Sequence, residues 1–214
     1  MSNIKLVHSG GNSVSLTTPD SNPAANRTFK LPGADGSAGQ ALVTDGSGAL
    51  SFAGTGKILQ IKQSIKTDTQ SFSTGSSTLA DSFFDITGLS VTLTPASGTK
   101  CFVSYSVNVG GQAGYGQGIA LFRDSTQVFR GPASGSRVRL SNFVQTHENN
   151  QIDVLSNQFL DTHGANGSTA VTYKLQMYVA TPGWTTRINR GQTWSDSRAF
   201  GSIISQITVM EVAS

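Results

Sequence analysis

One cysteine, two glutamates, six prolines and no long apolar run are the shortages of this 214-residue chain. The lone Cys101 rules out an intrachain disulfide, and a chain made for an oxidising compartment usually carries cysteines in pairs. No stretch approaches the ~18 apolar residues of a membrane span. The opening MSNIKLVHSGG has no apolar run and no cleavage site of the secretory kind, so synthesis in a cytosol without membrane insertion is the expectation. Charged residues make up 13 %, and the Lys and Arg are scattered rather than gathered into a stripe, which argues against nucleic-acid binding. With Glu nearly absent and Gly, Ser and Thr filling the polar positions, helix formers are scarce. The composition therefore predicts an all-β protein.

Two textures divide the chain. Residues 1–56 carry short apolar snatches, IKLVH, SVSLT, RTFKL, QALVT and ALSF, separated by turn chemistry at Gly10-Gly11, Pro19-Asp20, Pro32-Gly33 and Asp45-Gly46-Ser47-Gly48. Each snatch suits a strand of a few residues, and together they hold too little apolar surface for a core of their own. This region is expected to take its partners from other chains. Residues 57–214 are long enough for a full core and show longer alternation. KILQIKQSIK places Leu59, Ile61 and Ile65 on one face and Gln60, Lys62, Ser64 and Lys66 on the other, a half-buried strand. CFVSYSVNV and VTYKLQMYV repeat the pattern. Further strands are predicted near 83–93, 119–123, 126–130, 137–144, 152–160, 186–190 and 202–212, which together indicate a sandwich or jelly roll.

The closing GSIISQITVMEV has apolar residues on both faces: Ile203, Ile207 and Val209 on one, Ile204, Met210 and Val212 on the other. One face serves the core. A second subunit covering the other predicts a homo-oligomer with Ile204, Met210 and Val212 at its interface; loops of the same chain are the alternative cover.

Motifs for chemistry are weak. Gly33, Gly36 and Gly39 fall three apart, but Leu42 takes the next position and ends any collagen period. Neither these glycines nor GGQAGYGQG at 110–118 has phosphate-loop spacing, so they read as turn residues. Asp81 and Asp85 flank an aromatic pair and read as solvated rather than as an acid couple. His147, Glu148, Asp161 and His163 sit in polar loops without metal-ligand spacing. Cys101 lies in an alternating strand and reads as a small buried hydrophobe. Asn26-Arg-Thr and Asn166-Gly-Ser match a glycosylation sequon, which has no weight without secretion. No catalytic residue, metal or cofactor is expected. The segment TPGWTTRINRGQTWSDSRAFG, 181–201, stands apart because it gathers Trp184, Trp194, Arg187, Arg190, Arg198 and Asp196. Trp beside Arg is the composition of a binding hot spot, and a Trp face suits a sugar ring. Equally, the tryptophans can plug one end of the sandwich while the arginines bridge subunits.

The stretch SNPAANRTFKLPGADGSAGQALVTDGSGALSF resembles the N-terminal or shaft segments of bacteriophage fibre and virion-surface proteins, particularly those of marine phages. KTDT, FFDITGLSVTLTPASGTK, ALFRDSTQVFRG and ITVMEV are similar to a C-terminal domain of the same proteins, whose knobs resemble the trimeric jelly rolls of the C1q and tumour-necrosis-factor class. The resemblance implies a homotrimer in a virion, made in the host cytoplasm. Residues 1–56 would form an anchor or stalk on a tail adaptor or capsid protein, and residues 57–214 a jelly-roll-like knob. It implies host attachment through loops bearing Tyr115, His147, His163, Trp184, Arg187, Arg190 and Trp194, with a surface glycan or outer-membrane component as the partner. A head decoration protein that stabilises the capsid is the alternative. A glycan-cleaving spike and a cytokine-like ligand fit less well, the first for want of paired carboxylates and the second for want of a signal peptide.

Overall fold

The computed structural model describes residues 4–16, 19–21, 23–54, 57–73, 83–179 and 183–213. They contain no helix, and the protein is all-β. The chain divides into two compact units, residues 1–55 and 56–214.

In the N-terminal unit, β1 (Ile4–Val7) pairs antiparallel with β2 (Ser13–Leu16), and β3 (Gln40–Thr44) with β4 (Leu50–Gly54). The β3–β4 turn is closed by Asp45, whose Oδ1 accepts from the backbone N–H groups of Ser47 at 2.7 Å and Ala49 at 3.1 Å. The expected RTFKL strand reduces to one parallel bridge from Lys30 to Ala49. Two of the spaced glycines have identifiable local reasons: a Cβ on Gly36 would fall 2.6 Å from the Phe52 ring, and Gly39 has φ of 85°. Most of the large apolar side chains described here are open to solvent, from Phe52 at 39 % to Leu31 at 77 %, while Val43 and Leu50 are half-buried.

The C-terminal unit is a β-sandwich. Its first sheet has the order β5 (Ile58–Lys66), β15 (Ser205–Val212), β8 (Lys100–Gly110) and β12 (Ile152–Asp161). Two short strands, β6 (Gln70–Ser73) and β14 (Thr185–Ile188), extend it. The second sheet has the order β7 (Phe83–Leu93), β13 (Val171–Val179), β9 (Tyr115–Arg123) and β11 (Asn142–Thr146), with β10 (Thr126–Val128) beside β11 on the same edge of β9. Taken as eight main strands in chain order, the sheets read 1-8-3-6 and 2-7-4-5, the jelly-roll arrangement. Alternate residues fill the space between them: Val103 and Val107 of β8 and Ile207 and Val209 of β15 join a core with Leu89, Leu121 and Leu175 of the opposing sheet.

β5 alternates as its sequence indicates, but the polar face is the one turned inward. Gln60, Lys62, Ser64 and Lys66 donate to the carbonyls of Thr94, Thr92, Gly88 and Thr87 respectively, at 2.5–3.3 Å. β7 ends its sheet on this side, so its carbonyls have no strand to pair with. The polar row of β5 satisfies them and covers an open edge. Ile61 and Ile65 are consequently left on the outer face, 57 % and 49 % exposed.

β14 and β15 are one strand line interrupted. Ile188 lies opposite Val109 and Gln70, while Ser205 lies opposite Lys66 and Gln206 opposite Ser106. Residues 189–204 leave the line and return to it. Asn189, at φ 62° and 1 % exposed, holds the point of departure. Its N–H donates to Asn108 O at 2.9 Å, its Nδ2 to Lys66 O and Asp68 O at 2.9 and 3.0 Å, and its Oδ1 accepts from Ser205 Oγ at 2.6 Å. The left-handed conformation is one that Asn tolerates better than most residues.

Candidate functional site

The loops of one end of the sandwich are tied together at Asn149. Its Oδ1 accepts from Ala113 N–H at 3.0 Å and its carbonyl from Thr193 N–H at 3.0 Å, which joins the 111–114, 147–151 and 189–193 segments. Gly110 lies beneath the Arg190–Gly191 backbone, where no Cβ could fit. Of the residues singled out from sequence, Tyr115, His147, Trp184, Arg187, Arg190 and Trp194 belong to this end of the strands. Trp184 stacks on Tyr115 with ring centroids 4.0 Å apart and planes 24° from parallel. The Arg190 guanidinium lies 5.8 Å from the centre of the Trp194 ring. Both tryptophans therefore have an aromatic face engaged within the chain.

Arg187 and Arg190 are near enough for the positive charge of one to act on the other. Burial first, and the Arg190 charge second, lower the Arg187 pKa from its usual value. No carboxylate among the described residues forms a salt bridge with either. Arg187 Nε and Nη1 and Arg190 Nε are enclosed without an acceptor. Arg187 lies opposite Gly110, and the adjoining pair Ile188–Val109 points to the core, so the Arg187 side chain stands on the outer face of the first sheet. An uncompensated guanidinium pair at this place attracts a negative group.

His163 is at the opposite end of the strands and is 9 % exposed. Its Nδ1 accepts from Ala165 N–H at 2.9 Å, and its Nε2 lies 3.2 Å from Thr99 Oγ1. Thr99 Oγ1 donates to Glu211 Oε1 at 2.8 Å, which also accepts from Ala96 N–H at 2.7 Å, while Gln60 donates to Glu211 Oε2. Burial pushes the Glu211 pKa up, but these three hydrogen bonds and the nearby His163 outweigh it and hold the carboxyl below the usual range. Asp161, at the same end, receives Arg123 Nη1 at 2.7 and 2.9 Å and the Tyr173 hydroxyl at 2.6 Å. The Tyr173 pKa is pushed far above normal by burial and by that carboxylate. Cys101 is fully enclosed beside them, and desolvation raises its thiol pKa. The His147–Glu148 and Asp161–His163 pairs thus lie at opposite ends rather than around one centre. Asp85 is held by Lys174 at 2.8 Å and Gln176 at 2.6 Å, whereas Asp81 lies outside the described residues.

The outer face of the first sheet holds a feature that concerns the last strand. Ile61, Met210, Phe102 and Leu160 stand opposite one another across β5, β15, β8 and β12, with Val212 and Ile58 in the row beside them. Ile61 and Leu160 are 57 % and 49 % exposed. Met210 and Val212 share this face. Ile204, 54 % exposed, precedes β15, and its carbonyl accepts from Asn108 Nδ2 at 2.5 Å. Farther along, the face becomes flat and polar through Ser104, Ser106 and Ser156.

Sequence reasoning missed a cavity of about 650 Å³ between the 131–143 segment and Tyr178. The predicted strand over 137–144 begins only at Asn142, and the residues before it form a loop. The available signal was the spacing of Gly116 and Gly118 in YGQGI: two glycines on one face of a strand mark a close approach, here by Phe143 and Leu140. No protein-family model matches the chain, and no curated protein is similar to it.

Proposed function

We propose that the protein is a structural component of a bacteriophage virion: a homotrimeric short fibre whose residues 1–56 dock on the particle and whose jelly-roll unit meets the host surface. The observation that carries this reading is the contrast between the two units. One has a hydrophobic core, while the other exposes most of the large apolar side chains described in it and so needs other chains for cover. The row Ile61–Met210–Phe102–Leu160 supports self-association of the jelly-roll unit. Fully covering a side chain of this size is worth roughly 1.5–3 kcal/mol, and the neighbouring serines leave room for close approach. Three copies would present each end-loop cluster three times, so that weak contacts could add up to firm adsorption.

The engaged aromatic faces favour a second reading. With Trp184 stacked on Tyr115 and Trp194 under Arg190, the end loops are braced internally, which suits a passive projection on a capsid. Labelling intact particles with an antibody against residues 57–214 separates the two. Label at the tail with adsorption blocked is the expected result for a fibre; label over the head with adsorption unaffected makes the protein a decoration.

A further inference from the structure

The cavity against the second sheet has the construction of a ligand pocket. The 129–141 loop is pinned at its base. Gly131 N–H donates to Leu140 O at 3.2 Å, Arg139 Nε to Gly131 O at 2.7 Å, Gln127 Nε2 to Arg139 O at 2.6 Å, and Ser141 Oγ to Phe129 O at 2.7 Å. Gly118 leaves its place to Leu140 and stands between Phe143 of β11 and Tyr178 of β13, directly opposite both. The result is a fixed hollow of about 650 Å³ with two aromatic walls, within the size range of small-molecule sites. Phe143 keeps 59 % of its surface exposed.

The polar groups around this hollow are of one kind. Arg137 and Arg139 both line it, and none of the lining residues is acidic. Ser141 and Asn142 are committed within the fold, Asn142 between Tyr105 and Ser156 O. The Arg137 guanidinium and the hydroxyls of Ser134 and Ser136 have no partner among the described residues, and all three residues are exposed. An open aromatic face accepts the apolar side of a pyranose, free hydroxyls suit its hydroxyls, and an unpaired guanidinium suits an oxyanion.

We infer that this pocket binds an anionic saccharide unit, with the sugar ring against Phe143 and its carboxylate or phosphate on Arg137. The biological role of the pocket rests on the reading of the jelly-roll unit as the part that meets a cell surface. Binding itself is measured without that reading, by calorimetric titration of the full chain with methyl β-glucuronide, glucose 6-phosphate and the neutral methyl β-glucoside. Saturable binding of one or both anions, with the glucoside weaker by about tenfold or more, is expected, since a charge-assisted contact separates them. The anion that binds better identifies the source of the charge. Arg137→Gln should remove the preference for the anion, and Phe143→Ala should weaken all binding, each with an unchanged melting temperature. Absence of binding by all three sugars, equal binding of the glucoside, or titrations untouched by both substitutions would overturn the proposal. Particles carrying Arg137→Gln separate the two ideas. Binding lost with adsorption intact leaves the pocket standing and removes its host-contact role. Adsorption that depends on residues 183–201, in a protein that binds none of the sugars, does the reverse.

Discussion

Asn189 shows how much one side chain can organise. Its side-chain amide joins β5 to β15, and its backbone N–H adds β8, where the 189–204 excursion begins. Asn189→Ala loses those side-chain bonds, leaves Lys66 O, Asp68 O and Ser205 Oγ short of partners, and puts a Cβ residue with no compensating bond in the left-handed region. A loss of about 3 kcal/mol is expected in denaturant unfolding; a change below about 1 kcal/mol would mean that water replaces the amide. Glu211 sets a pH dependence. Its pKa in the folded chain lies below the unfolded value, near 4.5, so the ionised carboxylate stabilises the fold above that pH. The contribution is lost as pH falls through the lower, folded value. Glu211→Gln should therefore flatten the acid limb of the stability profile below about pH 4.5. Arg187 gives the opposite kind of forecast. Enclosed N–H groups without acceptors beside a like charge make Arg187→Met neutral or stabilising by up to about 1 kcal/mol in the isolated unit. A loss in melting temperature in the assembled protein but not in the isolated unit would show that an acid of another subunit holds it. The roles of Asn189 and Glu211 were not legible in the sequence, because each depends on partners far away in the chain, Lys66 for Asn189 and Gln60 for Glu211; the nearness of Arg187 to Arg190 is local to RINR, but their enclosure without an acceptor is not.

At the level of the strand, alternation was readable but its direction was not. CFVSYSVNV and ITVMEV place their odd-numbered apolar residues in the core, as a period of two predicts. KILQIKQSIK has the same period and does the reverse, because its inner neighbour is a row of carbonyls on β7 rather than a layer of side chains. The apolar side of β5 is thus exposed for a reason internal to the unit. Ile61→Asp with Leu160→Asp changes two exposed positions, so the jelly-roll unit should keep its strand signature in circular dichroism while its mass by light scattering falls to that of one copy. An unaltered assembly would place the subunit contact elsewhere. Met210 and Val212 were identified on the outward side from the doubled apolar pattern, whereas Ile61, Phe102 and Leu160 come from three strands that only the sheet order brings together.

For the molecule as a whole, two textures in the sequence correspond to two differently built units, and the buried hydrophobic cluster described above lies within residues 57–214. That segment alone should keep its strand signature in circular dichroism and melt within a few degrees of the full chain; failure to fold would mean that residues 1–56 complete it. The jelly-roll class was legible from many short strands without a helical period. The order of those strands was not, since β5 pairs with β15 from the far end of the chain and no local pattern records such a choice. The excursion between β14 and β15 has one more implication. Its ends are fastened at Ile188–Asn189 and at Ser205, so the loop begins and finishes on the same patch of sheet, and closing a loop costs only slowly more as it lengthens. Exchanging residues 195–201, beyond the Thr193 tie and the Trp194 contact, for a segment of another length should leave the melting temperature almost unchanged. Selection could then rewrite this segment, with its two charged residues Asp196 and Arg198, as an interchangeable cassette, diversifying the end of the molecule while the scaffold beneath stays the same.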